Sequence, residues 1–166
     1  MKIANILPLF YFSVLAAAIG PPSGRYIIIP EAFDHQGYVG RSKTEDRSLN
    51  PKQVLLLNDA PPEPWFIERQ SDGKYVLNQR GGFAGERNGL LLRSFSKTKR
   101  QTDGELNHRP KTAIVSLHRD PIRGWVSPSP SDASKQIRVQ PLIVGPSDPP
   151  FFPSTELFQL IPFYNE

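Results

Sequence analysis

"PWFIERQSDGKYVLNQRG", residues 64–81, sets two apolar runs on either side of a polar break. Trp65 and Ile67, then Tyr75 and Leu77, recur at every second position on either side of "QSDG". A period of two belongs to a strand, because successive side chains leave a pleated backbone on opposite faces. A short polar break containing Gly73 between two such runs is a turn. The stretch therefore predicts a hairpin with one buried face. Its aromatic residues belong to a core and do not form a cage for a ligand.

The same pattern extends in both directions. Upstream lie "GRYIII" (residues 24–29), "GYVG" (37–40) and "VLLL" (54–57), which form a first group with "WFIE" (65–68). "GKYVLN" (73–78), "GFAG" (82–85) and "GLLLRSF" (89–95) make a second group. "TAIVSL" (112–117), "GWVSP" (124–128), "QIRVQPLIV" (136–144) and "ELFQLIPF" (156–163) make a third. Each run is short, rich in β-branched or aromatic residues, and bounded by turn formers. Beyond the first twenty residues no apolar face repeats every 3.6 positions, so the domain is expected to be nearly all β.

The groups also resemble one another. Gly24-Arg25-Tyr26 returns as Gly73-Lys74-Tyr75, and Tyr38-Val39-Gly40 is matched by Phe83-Ala84-Gly85 and Gly124-Trp125-Val126. Three copies of about fifty residues, each with about four strands, predict a pseudo-threefold, twelve-stranded body. Closing such strands into a barrel removes edges that invite aggregation. On periodicity alone, a β-sandwich with accidental internal similarity is the alternative. The glycines of "RGGFAGERNG" (80–89) read as bulges or tight corners, because the segment lacks the Gly-Lys-Ser/Thr and following helix of a phosphate loop.

Composition sets further bounds. The chain has 166 residues, with 18 prolines, 12 glycines and no cysteine, which suits one turn-rich domain whose core holds without disulfides. Its net charge of +4 is spread among intermixed acids and bases, and no aromatic residues interleave with basic ones, so nucleic acid is not an expected partner. Lys2 followed by the uncharged residues 3–20 and Ala16-Ala17-Ala18 reads as a secretory signal peptide over residues 1–20. Pro8 and the shortness of the run argue against a membrane anchor. The mature domain is then 21–166, secreted and without a membrane segment. A wrongly assigned start would instead leave a cytoplasmic protein.

Catalytic chemistry finds no foothold. His35, His108 and His118 lack metal-ligand spacing, no cysteine can ligate or attack, and Gly-x-Ser-x-Gly is absent. Asp34 and His35 are neighbours in a turn, where local capping is the simpler role. No enzyme activity, cofactor or metal is expected.

The ordered combination of "GYVGRSKTEDRSLNPKQVLLL" (37–57), "PWFIERQSDGKYVLNQRG" and "QIRVQPLIVGPSDPPFFPSTELFQLIPF" (136–163) resembles the fungal β-trefoil serine protease inhibitors typified by cospin. The resemblance begins at "GRYIII" and covers most of the chain beyond the leader. It implies an all-β β-trefoil, a six-stranded barrel closed by three hairpins. It further implies inhibition of a trypsin-like serine protease through a surface loop; a monomer without a cofactor is expected.

The resemblance places that loop between the second and third strands, in "GRSKTEDRSLNPKQV" (40–54). Arg47 is the expected anchor, since a guanidinium can satisfy a buried acid in a protease pocket. Ser48 is small and follows it directly, Leu49 extends the contact, and Pro51 biases Asn50 toward an extended backbone. Glu45 and Asp46 are expected to accept hydrogen bonds from the loop backbone or to pair with Arg41. Arg41, Lys43 and Lys52 are the alternative anchors, although Arg41 lies where it can brace the loop from below and Lys52 leads into the next strand.

The sequence is open to other readings as well. Lys97–Arg100 reads as a solvated loop, with a second protease loop or a processing signal as alternatives, and Arg119 with Arg123 around Pro121 offers another loop. A sugar-binding trefoil would use Trp125 or Phe83 as a stacking platform, and a cysteine protease is an alternative target. Residues 96–112, "SKTKRQTDGELNHRPKT", contain almost nothing apolar, which leaves the barrel strand expected before "TAIVSL" missing or poorly specified.

Overall fold

The computed structural model describes residues 20–32, 37–58, 61–95, 105–109, 112–119, 122–129 and 131–164. Residues 1–19 of the leader, Asp34, His35, Lys97–Arg100 and Pro121 lie outside the described residues.

The hairpin read from the sequence is present. β5 (Trp65–Arg69) pairs antiparallel with β6 (Tyr75–Gln79), and Ile67 faces Leu77 across the ladder. Gly73 turns the chain at φ +82°, a conformation glycine adopts without steric cost, and its N–H donates to the Gln70 carbonyl at 3.0 Å. Trp65, Ile67, Tyr75 and Leu77 are all buried, whereas Phe66 and Glu68 face outward.

The remaining strands are β1 (Gly24–Pro30), β2 (Tyr38–Gly40), β3 (Lys52–Gln53), β4 (Leu55–Leu57), β7 (Gly82–Arg87), β8 (Leu90–Ser94), β9 (Glu105–Arg109), β10 (Thr112–Arg119), β11 (Ile122–Val126), β12 (Arg138–Pro141) and β13 (Phe158–Pro162). β3 and β4 are one run interrupted at Val54. With that pair counted once, the described strands fall into three groups of four. The first strand of each group is β1, β6 or β10, and the last is β5, β9 or β13.

Those six first and last strands form the barrel wall. Antiparallel ladders join β6 to β5, β5 to β1, β1 to β13, β13 to β10 and β10 to β9. The middle strands of each group make the hairpins β2–β4, β7–β8 and β11–β12. Val54, Leu91 and Ile137, each fully buried, then bind one another in a closed ring. Val54 N donates to Leu91 O at 3.2 Å, Leu91 N to Ile137 O at 3.0 Å, and Ile137 N to Val54 O at 3.0 Å. One residue from each hairpin thus satisfies the next, which marks the pseudo-threefold axis and seals the barrel with a hairpin cap. The fold is a β-trefoil.

One expectation needs correction. A strand does occur within residues 96–112: β9 pairs with β10 from Thr112↔Arg109 through Ser116↔Glu105. Its sequence, Glu105-Leu106-Asn107-His108-Arg109, carries little apolar signal, yet the ladder to β10 needs only backbone groups, which any sequence supplies.

The core lies on the barrel axis. Trp65 and Trp125 stack at a tilt with ring centroids 6.1 Å apart, and Trp125 meets Phe158 edge-on at 6.0 Å. Such pairs contribute about 0.5–1.5 kcal/mol beyond their buried area. Val39, Ala84 and Trp125, matched in the sequence repeat, are all buried at equivalent places in β2, β7 and β11.

Candidate inhibitory loop

Residues 41–51 connect β2 to β3, and both ends are held by ladders: Gly40 faces Leu55, while Lys52 and Gln53 face Arg93 and Leu92 of β8. Alternation along residues 52–54 turns Lys52 and Val54 inward and Gln53 outward. Lys52 is consequently only 7% exposed, and its ammonium lies beneath the loop.

That ammonium organises the residues around Arg47. Lys52 Nζ binds Asp46 Oδ1 and also donates to Ser48 Oγ at 3.0 Å. Asp46 Oδ1 accepts the Ser48 backbone N–H at 2.8 Å, and Ser48 Oγ accepts the Asn50 N–H at 3.3 Å. Side chains of the two residues flanking Arg47 are therefore drawn to one buried cation. The bond to Lys52, followed by those from Ser48, pushes the Asp46 carboxyl down to about 2, so it stays ionised at all ordinary pH values.

The near arm of the loop has its own brace. Arg41 pairs with Glu45, four residues on, and both are largely covered. Ser42 Oγ accepts the Thr44 N–H at 3.2 Å and lies 3.1 Å from Thr44 Oγ1. Under this arm Arg93 is fully buried and donates through Nη1 to the carbonyls of Gln79 and Arg80, each at 3.1 Å, with its guanidinium 4.5 Å from the Phe95 ring centroid. Burial first, then the charge of Arg41, lowers the Arg93 pKa.

The predicted site residues thus divide into two sets. Arg41, Glu45, Asp46 and Ser48 are engaged in holding the loop. Arg47 and Leu49 project into solvent, Leu49 with 79% of its surface exposed. Among the described residues, no ion pair or side-chain hydrogen bond engages Arg47 or Lys43, whereas Arg41 and Lys52 are both paired.

Lys52 as the central brace, and Arg93 as the floor, were not read from the sequence. The signal for Lys52 was its inward parity with Val54, six residues after an aspartate. The other candidate surfaces fare differently: Trp125 is 1% exposed and cannot stack on a sugar, while Phe83 is half-buried. Arg123 is tied to Glu86 at 2.9 Å and to the Val139 carbonyl at 3.0 Å, so its guanidinium braces β11 against β7 and β12.

The fold and the loop together define a cysteine-free β-trefoil that carries an internally braced surface loop with unpaired cations, Lys43 and Arg47, at its surface. Comparison with known proteins gives the class its family: residues 21–162 match the Peptidase inhibitor I66 family, and the chain belongs to it. It is accordingly a peptidase inhibitor and not an enzyme. A "Serine protease inhibitor" of Lentinula edodes is 37% identical over 152 residues, covering 84% of this chain and 96% of that protein. The solved structure of a proteinase inhibitor from Coprinopsis cinerea superposes with a TM-score of 0.75 at 27% identity, covering 86% of this chain and 99% of that one. SeviL, solved bound to asialo-GM1 saccharide, shares the fold with a TM-score of 0.60 over 86% of this chain and 99% of its own, at 10% identity.

Proposed function

We propose that this chain is a reversible inhibitor of trypsin-like serine proteases that inserts Arg47 into the primary pocket and acts as a monomer. A trypsin-like pocket carries a buried acid at its base, and a guanidinium meets it with paired hydrogen bonds. The observation that carries this reading is the contrast at the loop surface: Arg47 is exposed and unpaired, while Asp46 and Ser48 on either side, exposed as well, are both bonded to Lys52. Ordering a free loop costs about 0.5–1.5 kcal/mol for each immobilised side chain, and a loop already held on a barrel avoids most of that loss. The relative from Lentinula edodes, named a serine protease inhibitor, supports the serine class.

Residues 1–20 are proposed to direct export and to be removed, with the mature protein starting near Pro21; amino-terminal sequencing of protein from culture medium tests this. For the main reading, the domain from Pro21 to Glu166 is titrated into trypsin and, in parallel, chymotrypsin. Near-stoichiometric loss of trypsin activity with weak action on chymotrypsin, whose pocket prefers an apolar anchor, is expected. Full trypsin activity in the presence of excess folded domain would overturn it.

A further inference from the structure

The hydrogen bonds around Arg47 cross the bond that a protease would cut. Resting on Arg47 as the anchor, we propose that Lys52 is a positioning residue that holds the two sides of the Arg47–Ser48 bond together and so makes its cleavage reversible. Asp46 lies on the amino-terminal side of that bond, while Ser48 and Lys52 lie on the carboxy-terminal side. Lys52 Nζ binds Asp46 Oδ1 across the junction and grips Ser48 Oγ at 3.0 Å on its own side. The Ser48 nitrogen itself donates to Asp46 Oδ1 at 2.8 Å.

The consequence follows from the chemistry of acyl transfer. The protease serine oxygen attacks the Arg47 carbonyl carbon and gives up its proton to the catalytic base. The C–N bond to Ser48 then breaks, the base delivers that proton to the departing nitrogen, and Arg47 is left as an ester on the enzyme. Water can hydrolyse the ester, or the Ser48 amine can attack it, re-forming the peptide bond and returning the proton to the serine oxygen. The second route wins when the amine stays in place, because a held nucleophile has a high effective concentration. Here the nascent amine is the very nitrogen bound to Asp46, and Asp46 is bound to Lys52 at the start of β3. No disulfide can join the two sides, because this chain has no cysteine. The ladders of β1 to β5 and β13, and of β2 to β4, keep the amino-terminal piece in the barrel.

The test incubates the domain with a catalytic amount of trypsin and follows intact and Arg47–Ser48-cut chains by mass spectrometry, starting from each form. The unaltered domain is expected to reach one mixture from both directions, with isolated cut chain partly resealed. In Lys52→Met the cut form should accumulate at least tenfold relative to intact chain and inhibition should fade with time, whereas Lys52→Arg should restore much of the resealing. Asp46→Asn, a change on the exposed loop that leaves the core untouched, should shift the mixture the same way even if Lys52→Met folds poorly. An unchanged ratio of cut to intact chain in both Lys52→Met and Asp46→Asn overturns the proposal while leaving Arg47 as the anchor. Trypsin inhibition with no cut at Arg47–Ser48 in any variant would overturn the anchor assignment and this inference together.

Discussion

Trp65 Nε1 donates to the carbonyl oxygen of Val39 at 2.7 Å, tying the centre of the core to the strand from which the loop of residues 41–51 departs. Both residues are fully buried, so the bond joins two of the least accessible points in the molecule. Gly40 and Arg41 follow Val39 directly. The position of the loop is thereby coupled to the packing of a tryptophan in the barrel. Trp65→Phe leaves that carbonyl without its donor and opens space beside Trp125. A loss of about 2–3 kcal/mol is expected, from cavity formation and an unsatisfied acceptor combined. Denaturant unfolding measures it, and an unchanged midpoint would contradict the role given to this bond.

Gly82 is predicted to resist even alanine. A Cβ there would lie 2.7 Å from Cγ, Cδ and Nη1 of Arg93. Arg93 has no exposed surface and two carbonyl partners, so its side chain cannot swing aside without loss. Gly82→Ala should cost about 1–3 kcal/mol, the usual range for overpacking, and should disturb the near arm of the loop. Thermal melts with backbone NMR shifts for residues 41–45 would show both effects.

The Asp46 carboxyl offers a direct reading of the clamp. Its folded pKa of about 2 lies below its ordinary value, so the contribution of the clamp is present above that ordinary value and is lost as pH falls through about 2. Carboxyl chemical shifts in a pH titration should place Asp46 near 2 in the unaltered domain. In Lys52→Met, which removes the largest cause of the shift, the titration should move back toward the ordinary carboxylate range. Titration at the ordinary value in both proteins would mean that Lys52 does not hold Asp46 in solution.

Glu156 carries the opposite sign. It is 2% exposed and accepts the Ile143 N–H with both carboxyl oxygens, at 2.9 and 3.2 Å. Burial raises its pKa, and the bond from Ile143 offsets this only in part. A raised folded pKa favours the native state at low pH, with the benefit fully present below the unfolded pKa and lost as pH rises through the folded one. Glu156→Gln keeps an acceptor for Ile143 and removes the titration. Relative to the parent, its melting temperature should therefore improve as pH rises from acid to neutral, and a flat difference would contradict this reading.

Strand character and threefold order were legible because buried side chains recur at fixed intervals: Trp65 and Ile67 in one strand, Tyr26 and Tyr75 at matching places in two repeats. β9 was not, since Glu105-Leu106-Asn107-His108-Arg109 has a single apolar residue and so no alternation, and backbone pairing with β10 needs none. The resemblance pointed to the segment around Arg47, and the braces formed by Arg41 and Glu45 match the reading of their charges. What sequence reasoning missed is the buried cation. Lys52 was weighed only as an alternative anchor, because lysine is seldom buried and its partners, Asp46 and Ser48, meet it only when the loop folds back. Arg93 escaped for the same reason: its partners are main-chain carbonyls, invisible in a list of residue types.

The role of Arg47 is measured by the inhibition constant of Arg47→Asn against trypsin, set beside those of the unaltered domain and Lys43→Asn. Arg47→Asn is expected to weaken binding by about 2–4 kcal/mol, roughly 30- to 1,000-fold, while Lys43→Asn stays within about threefold of the parent. Arg47→Asn inhibiting as tightly as the unaltered domain would contradict that role and move the contact to another part of the surface.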